Sequence, residues 1–130
     1  MIFVVDDDPS VRKALKRLLS SAGYEVVTFG SAEEVLTSGR GEPPGVFVID
    51  VRMPGLSGLA LQRELAASGS KVPIVFITAY RDDQARTLAH QGGAVAYLEK
   101  PVDEAVLLEA IRAGLKRQTS HAAEVEHLGQ

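Results

Sequence analysis

Five short apolar runs punctuate the chain: Ile2–Val5, Val26–Phe29, Val46–Ile49, Ile74–Ile77 and Val95–Leu98. Each carries β-branched residues, and polar positions are nearly absent from them. Strands this apolar are buried on both faces, as in a parallel sheet. The segments between them follow a helical period. Val11, Ala14, Leu15, Leu18 and Leu19 obey the i, i+3, i+4, i+7, i+8 rule. Asp8-Pro9 predicts an N-cap with proline at the first helical position. Ser31-Ala32-Glu33-Glu34 is a capping box. Asp103 is placed to cap a last helix running to about Arg117, with Leu108, Ile111 and Leu115 on one face. Gly23, Gly39, Gly69 and the Gly92-Gly93 pair are helix stops. The fourth helix, about Asp82 to Gln91, is the weakest, because its apolar face offers only Ala85, Leu88 and Ala89. The pattern is β-α repeated five times. It predicts an α/β fold: an open, doubly wound, five-stranded parallel sheet with helices on both faces.

Length adds one point: 130 residues make one domain. Residues 1–117 hold the whole β-α pattern. Residues 118–130, QTSHAAEVEHLGQ, are polar and acidic, without Lys or Arg, and read as a helix extension or linker tail. A net charge of −3 argues against a surface-wide drive toward nucleic acid. The absence of cysteine excludes disulfides, thiol catalysis and Cys-based zinc sites, and suits a cytoplasmic protein. The three histidines are scattered. No apolar run approaches the roughly 18 residues of a membrane span, and MIFVVDDDPS lacks the features of a signal peptide.

The chemistry lies just past the strands. Asp6-Asp7-Asp8 follows the first run, Asp50 the third, Thr78 the fourth and Lys100-Pro101 the fifth. In a parallel sheet these groups gather on one edge, where open α/β sheets bind ligands. Several carboxylates at close range repel one another unless a cation sits among them. Mg²⁺ suits such a site, being hard, oxygen-seeking and content with carboxylates, water and phosphate. A lysine and a hydroxyl are suitable donors to phosphoryl oxygens, and an aspartate can accept a phosphoryl group as a nucleophile. Taken singly, each residue has a plainer reading: Asp8 as a cap, Asp6 and Asp7 as capping or solvated charges, Thr78 as a β-former, Lys100 as a surface charge. Their joint placement favours acid, metal, phosphoryl acceptor and cation. Two other classes compete. An aspartyl phosphohydrolase commonly needs a second Asp two residues after the nucleophile, where this chain has Arg52. A flavodoxin-like cofactor binder needs a Ser/Thr/Gly-rich phosphate loop after the first strand, where this chain has three aspartates.

VVDDD at 4–8, VIDVRMPGLSG at 48–58, IVFITAY at 74–80 and AYLEKP at 96–101 occur in this order over most of residues 1–117. Together they resemble the receiver domain of two-component response regulators, the CheY-like superfamily. They are most similar to the FixJ-like receivers that precede a LuxR-type helix-turn-helix. The resemblance implies a flavodoxin-like (βα)5 sheet of strand order 2-1-3-4-5. It implies Asp50 as phosphoryl acceptor from a sensor histidine kinase. Asp7 is implied as a direct Mg²⁺ ligand and Asp6 largely through water, with Asp50 and the backbone carbonyl of Arg52 completing the protein ligands. Lys100, Thr78 and Ala79 are implied to bind the phosphoryl group, Thr78 and Tyr97 to form the switch, and Pro101 to follow a cis peptide bond. It further implies a signalling switch, without enzymatic turnover beyond self-phosphotransfer and autodephosphorylation. That switch would control transcription through an output domain, with a homodimer forming on phosphorylation through the fourth helix, fifth strand and fifth helix. The alternative is a stand-alone receiver acting by protein contact or as a phosphate sink.

Some positions depart from the family pattern. Arg52 has a side chain able to alter the lifetime of the phosphoryl group, and Tyr80 one able to screen it from water. Val102 replaces the usual Phe, and YRDDQARTLAHQGG is unlike the usual run around the fourth helix. Arg12, Lys13, Lys16 and Arg17 make the first helix basic. Their plain reading is a solvated face, and the alternatives are kinase docking and nucleic-acid contact. Gly41-Glu42-Pro43-Pro44-Gly45 reads as a stiff turn, Met53-Pro54-Gly55 as the loop after Asp50, and His90, His121 and His127 as surface residues.

Overall fold

The structure, a computed structural model, describes residues 1–39 and 45–128, with side chains described to Arg117. The expected turn at 41–45 therefore lies outside the described residues except for Gly45, as do the side chains of His121 and His127.

Strands and helices alternate: β1 (Ile2–Val5), α1 (Pro9–Ser21), β2 (Val26–Phe29), α2 (Ala32–Ser38), β3 (Val46–Asp50), α3 (Gly58–Ala67), β4 (Ile74–Thr78), α4 (Asp83–Gln91), β5 (Ala96–Glu99) and α5 (Glu104–Leu128). The sheet is parallel throughout, in the order β2-β1-β3-β4-β5. Ile2 pairs with both Val26 and Val46, Phe47 with Ile74, and Val75 with Ala96. Side chains alternate across a strand, so two cores form. Phe3, Val5, Phe47, Ile49 and Phe76 face α2, α3 and α4. Ile2, Val4, Val48, Val75 and Ile77 face α1 and α5, against Leu15, Leu19, Leu107 and Ile111.

Local signals work as the residues require. Asp8 Oδ1 accepts from Ser10 N–H, with Pro9 opening α1. Ser31 Oγ accepts from Glu34 N–H, while Glu34 reaches back to Gly30 N–H. Gly39 closes α2 in the left-handed conformation, at φ +67°.

Four details differ from the sequence reading. The fifth strand begins at Ala96 and ends at Glu99. On α1, Ala14 is exposed, because the sheet reaches only the face of Leu15 and Leu19. On α4, Leu88 is exposed, leaving Ala85 and Ala89 as the buried face. On α5 the fully buried positions are Leu107 and Ile111, with Leu108 and Leu115 only partly covered. That helix runs on to Leu128, through residues read from the sequence as a helix extension or linker tail. No proline interrupts it, and no glycine follows Gly114 until Gly129. Propensity can therefore extend it past the edge of the core.

The close approach of α3 to the end of β3 positions the acceptor edge. Gly58 N–H donates to Val51 O at 2.9 Å. A Cβ on Gly58 would lie 2.4 Å from Asp50 O and 3.0 Å from the Val51 Cα, both backbone atoms with little freedom to yield. Gly58→Ala is therefore expected to lower the unfolding free energy by about 1–3 kcal/mol, the usual cost of overpacking. Urea denaturation should show a lower midpoint at unchanged slope. A midpoint equal to that of wild type would contradict this packing.

Candidate functional site

Four strand ends deliver the site. Asp6 follows β1, β3 ends at Asp50 and β4 at Thr78, all three buried, and Lys100 follows β5. Asp7, the next residue along, faces solvent, because consecutive side chains point to opposite sides. Asp6, Asp7 and Asp50 each offer a carboxylate oxygen within 4.8 Å of the others'. Lys100 Nζ lies 2.9 Å from Asp6 Oδ2 and 3.8 Å from Asp50 Oδ1. The turn after β1 is held from inside: Asp6 Oδ1 accepts from Asp8 N–H at 2.9 Å, and Arg12 Nη1 donates to Asp6 O at 2.7 Å. The Lys100–Pro101 peptide bond is cis, and Lys100 N–H donates to Thr78 O at 2.7 Å.

Asp50 is out of balance with water. Burial pushes its carboxyl up to about 6, helped by the charges of Asp6 and Asp7. Lys100 and the backbone N–H of Arg52 pull the other way without cancelling the rise. A carboxylate in this position gains from any cation or donor brought to it.

Thr78 Oγ1 is engaged with the backbone of Tyr80, accepting from its N–H at 3.1 Å and donating to its carbonyl at 3.2 Å. Ala79 is exposed on the rim. Tyr97 already points inward. Its ring is buried 6.3 Å from that of Phe76, with the Arg86 guanidinium 5.4 Å over its face. Its hydroxyl is buried without a well-formed hydrogen bond. The Thr78 hydroxyl is near enough to act on it but is committed to Tyr80. Burial, then the charge of Asp82, raises the Tyr97 pKa. The Arg52 side chain leans away from the pocket, its guanidinium 4.5 Å from the Tyr80 ring centroid and 3.8 Å from Asp82.

A response regulator receiver domain model matches residues 2–112, nearly the whole of the sheet and its helices. The chain belongs to this family. It is 46% identical over 117 residues to Nodulation protein W of Bradyrhizobium diazoefficiens, a match covering 90% of this chain and 52% of that protein. The chain thus spans about half the length of that relative. Among solved structures it is similar to the response regulator StyR (46% identity, TM-score 0.91, covering 99% of this chain and 65% of that one). It is also similar to FixJ-N (36% identity, TM-score 0.82, covering 88% and 92%). The receiver is a signalling module of two-component systems, and no helix among its described residues is long and apolar enough to cross a membrane.

Three contributions were not read from the sequence. Arg12 bonds a backbone carbonyl beside the acidic pair instead of joining a purely solvated basic face. Glu33 Oε1 accepts from Leu56 N–H at 2.8 Å and packs against Gly55, which has φ +76°, so α2 holds the loop after Asp50. Gln62 is buried on α3 and donates to Ala89 O at 3.1 Å. Only Gln62 left a trace, as an amide beside Leu61 on an apolar helix face.

The raised Asp50 pKa has a stability consequence in metal-free buffer. The folded state holds its proton to about pH 6 and the unfolded chain only to the ordinary carboxyl value of 3.8. Wild-type stability should therefore fall as pH rises from about 4 through 6. Asp50→Asn lacks this loss, so its advantage should grow from near zero at low pH to roughly 2–3 kcal/mol above pH 7. Chemical denaturation across that range checks it; an advantage that does not vary with pH would place the destabilising charge elsewhere.

Proposed function

We propose that Asp50 accepts a phosphoryl group from a sensor histidine kinase in the cytoplasm, and that the resulting charge switches a protein-interaction surface. The observation that carries this reading is the Asp50 carboxylate, buried and crowded by two other aspartates yet reached by Lys100. A carboxylate oxygen would form the new bond to phosphorus as the phosphorus–nitrogen bond of a phosphohistidine breaks, returning the imidazole to the kinase. Lys100, now shared with Asp6, would bind a phosphoryl oxygen, as would Thr78 once released from Tyr80, with Ala79 beside it on the rim. The all-oxygen donor set fits Mg²⁺, with Asp6, Asp7, Asp50 and the Arg52 carbonyl as its ligands. When bound, the ion supplies the positive charge that lets an anionic phosphoryl group approach three carboxylates. Position 52, where a phosphohydrolase would carry its second Asp, holds an arginine turned toward Asp82, which favours a module without enzymatic turnover beyond its own dephosphorylation.

For the output, α4, β5 and α5 carry the exposed apolar side chains Leu88 and Val106, which supports a dimerisation surface there. Relatives such as the transcriptional regulatory protein TdiR of Thauera aromatica support transcriptional control as the destination.

On incubation with a small phosphodonor and Mg²⁺, intact-mass measurement should show a single added phosphoryl group, released by hydroxylamine, and Asp50→Asn should show none. Equal labelling of the variant would refute the assignment. With beryllofluoride as phosphoryl mimic, sedimentation should show a shift toward dimer in wild type. Thr78→Val should bind the mimic but shift less. A wild-type mass that stays monomeric with the mimic bound would remove the dimer reading.

A further inference from the structure

Helix α4 is fastened very differently at its two ends. At the carboxyl end, the buried Gln62 amide of α3 donates to Ala89 O at 3.1 Å. Gly92 packs so tightly on that amide that a Cβ there would fall 2.6 Å from it. Arg117 of α5 donates to Gly93 O at 3.0 Å. At the amino end the fastening is buried Ala85 and ties made of charge, among them Arg86 Nη2 at 3.8 Å from Glu99 Oε1. Asp82 caps the helix, its Oδ1 accepting from Ala85 N–H at 3.0 Å, and its Oδ2 faces the Arg52 guanidinium at 3.8 Å. Arg52 also lies over the exposed Tyr80 ring. Exposed ion pairs of this kind are weak and easily outcompeted.

Arg52 is two residues from the acceptor Asp50. Its backbone N–H acts on the Asp50 carboxyl, while its guanidinium lies 3.8 Å from Asp82 Oδ2 and 4.5 Å from the Tyr80 ring centroid. The guanidinium is thus held on the α4 side of the site.

We propose that the Arg52 side chain is a charge-sensing latch between the acceptor and α4, which pivots about its pinned carboxyl end when the latch opens. The inference rests on the reading of Asp50 as phosphoacceptor. A phosphoryl group brings about −1.5 to −2 charge and three strong acceptor oxygens. Arginine matches such a group better than a single exposed carboxylate does. Arg52 leaves Asp82 for it, and the first turn of α4 loses this tie to the β3–α3 loop. Thr78 turns toward the same oxygens and releases both backbone groups of Tyr80, which loosens the β4–α4 connection at the same moment. The carboxyl end stays on Gln62 and Arg117, so the motion is a rotation of the amino end and not a translation of the helix.

Asp82→Asn separates these roles, because asparagine caps a helix as well as aspartate does but carries no charge for Arg52. Amide hydrogen exchange resolved by NMR, with and without beryllofluoride and Mg²⁺, is the measurement. In wild type the mimic should speed exchange at Ala85–Thr87 and leave Ala89–Gln91 unchanged. Unliganded Asp82→Asn should already exchange about threefold faster at Ala85–Thr87, the worth of an exposed ion pair. The mimic should then add little. Raising NaCl should speed exchange at Ala85–Thr87 more in wild type than in the variant, where the Arg86–Glu99 pair remains for salt to screen. Arg52→Ala should behave as Asp82→Asn does in the absence of the mimic. Basal exchange equal to wild type in Asp82→Asn, with a full response to the mimic, overturns the latch while leaving Asp50 as acceptor. Speeding at Ala89–Gln91 as large as at Ala85–Thr87 overturns the pivot. Wild type that fails to bind beryllofluoride, read by ¹⁹F NMR in the same sample, overturns the phosphoacceptor reading and the latch with it.

Discussion

Asp6 and Asp50 stand at the ends of neighbouring strands with their carboxylates almost removed from water, and Lys100 reaches both, Asp6 across 94 residues of sequence. Two buried like charges at this range are costly. One lysine, 2.9 Å from the first and 3.8 Å from the second, offsets the cost only in part, and Asp50 is left with a pKa near 6. The rest of the structure is arranged around that imbalance. Parallel strands are needed to bring the three ends to one edge. Gly58 is needed to let α3 start against the Asp50 carbonyl. Arg12 and the Asp6–Asp8 turn hold the first acid in place.

The sheet achieves this because every central strand is apolar on both faces. Phe3, Phe47 and Phe76 fill one side, while Ile2, Val48 and Val75 fill the other. A sheet so covered tolerates polar groups only at its ends, where the acids and the threonine stand. Among the helices facing the sheet, α4 buries only two alanines, so it is held mainly by polar ties, and polar ties respond to charge. In the proposed switch, the responsive element would stand directly beside the group whose charge changes.

Much of this was legible in the chain. Asp8, Pro9, Ser31 and Gly39 act on residues within four positions of themselves, and such signals need no tertiary context. The five apolar runs announced strands buried on both faces, and their spacing announced crossover helices. The aspartates, the threonine and the lysine could be assigned to one edge once the strands were taken as parallel. The weakness of α4 was also visible, as a helical period with nothing larger than Leu88 on its apolar side, although Leu88 itself proved to be exposed.

By itself, then, the sequence determined the elements, their order and which residue types meet at the acidic edge, because hydrophobic period, capping and strand-end placement are local properties. Only the tertiary structure decided what each group experiences. Asp6 is buried and Asp7 exposed although they are adjacent and alike, and only Asp6 is met by Lys100 and the Asp8 N–H. Arg12 turns from a surface charge into a donor to Asp6 O. Arg52 lies on Tyr80 and Asp82 instead of over Asp50, and Tyr97 sits inward with its hydroxyl unpaired. Burial, charge and hydrogen-bond competition are set by neighbours distant in the chain, and those neighbours exist only once the sheet has closed on its two layers of helices.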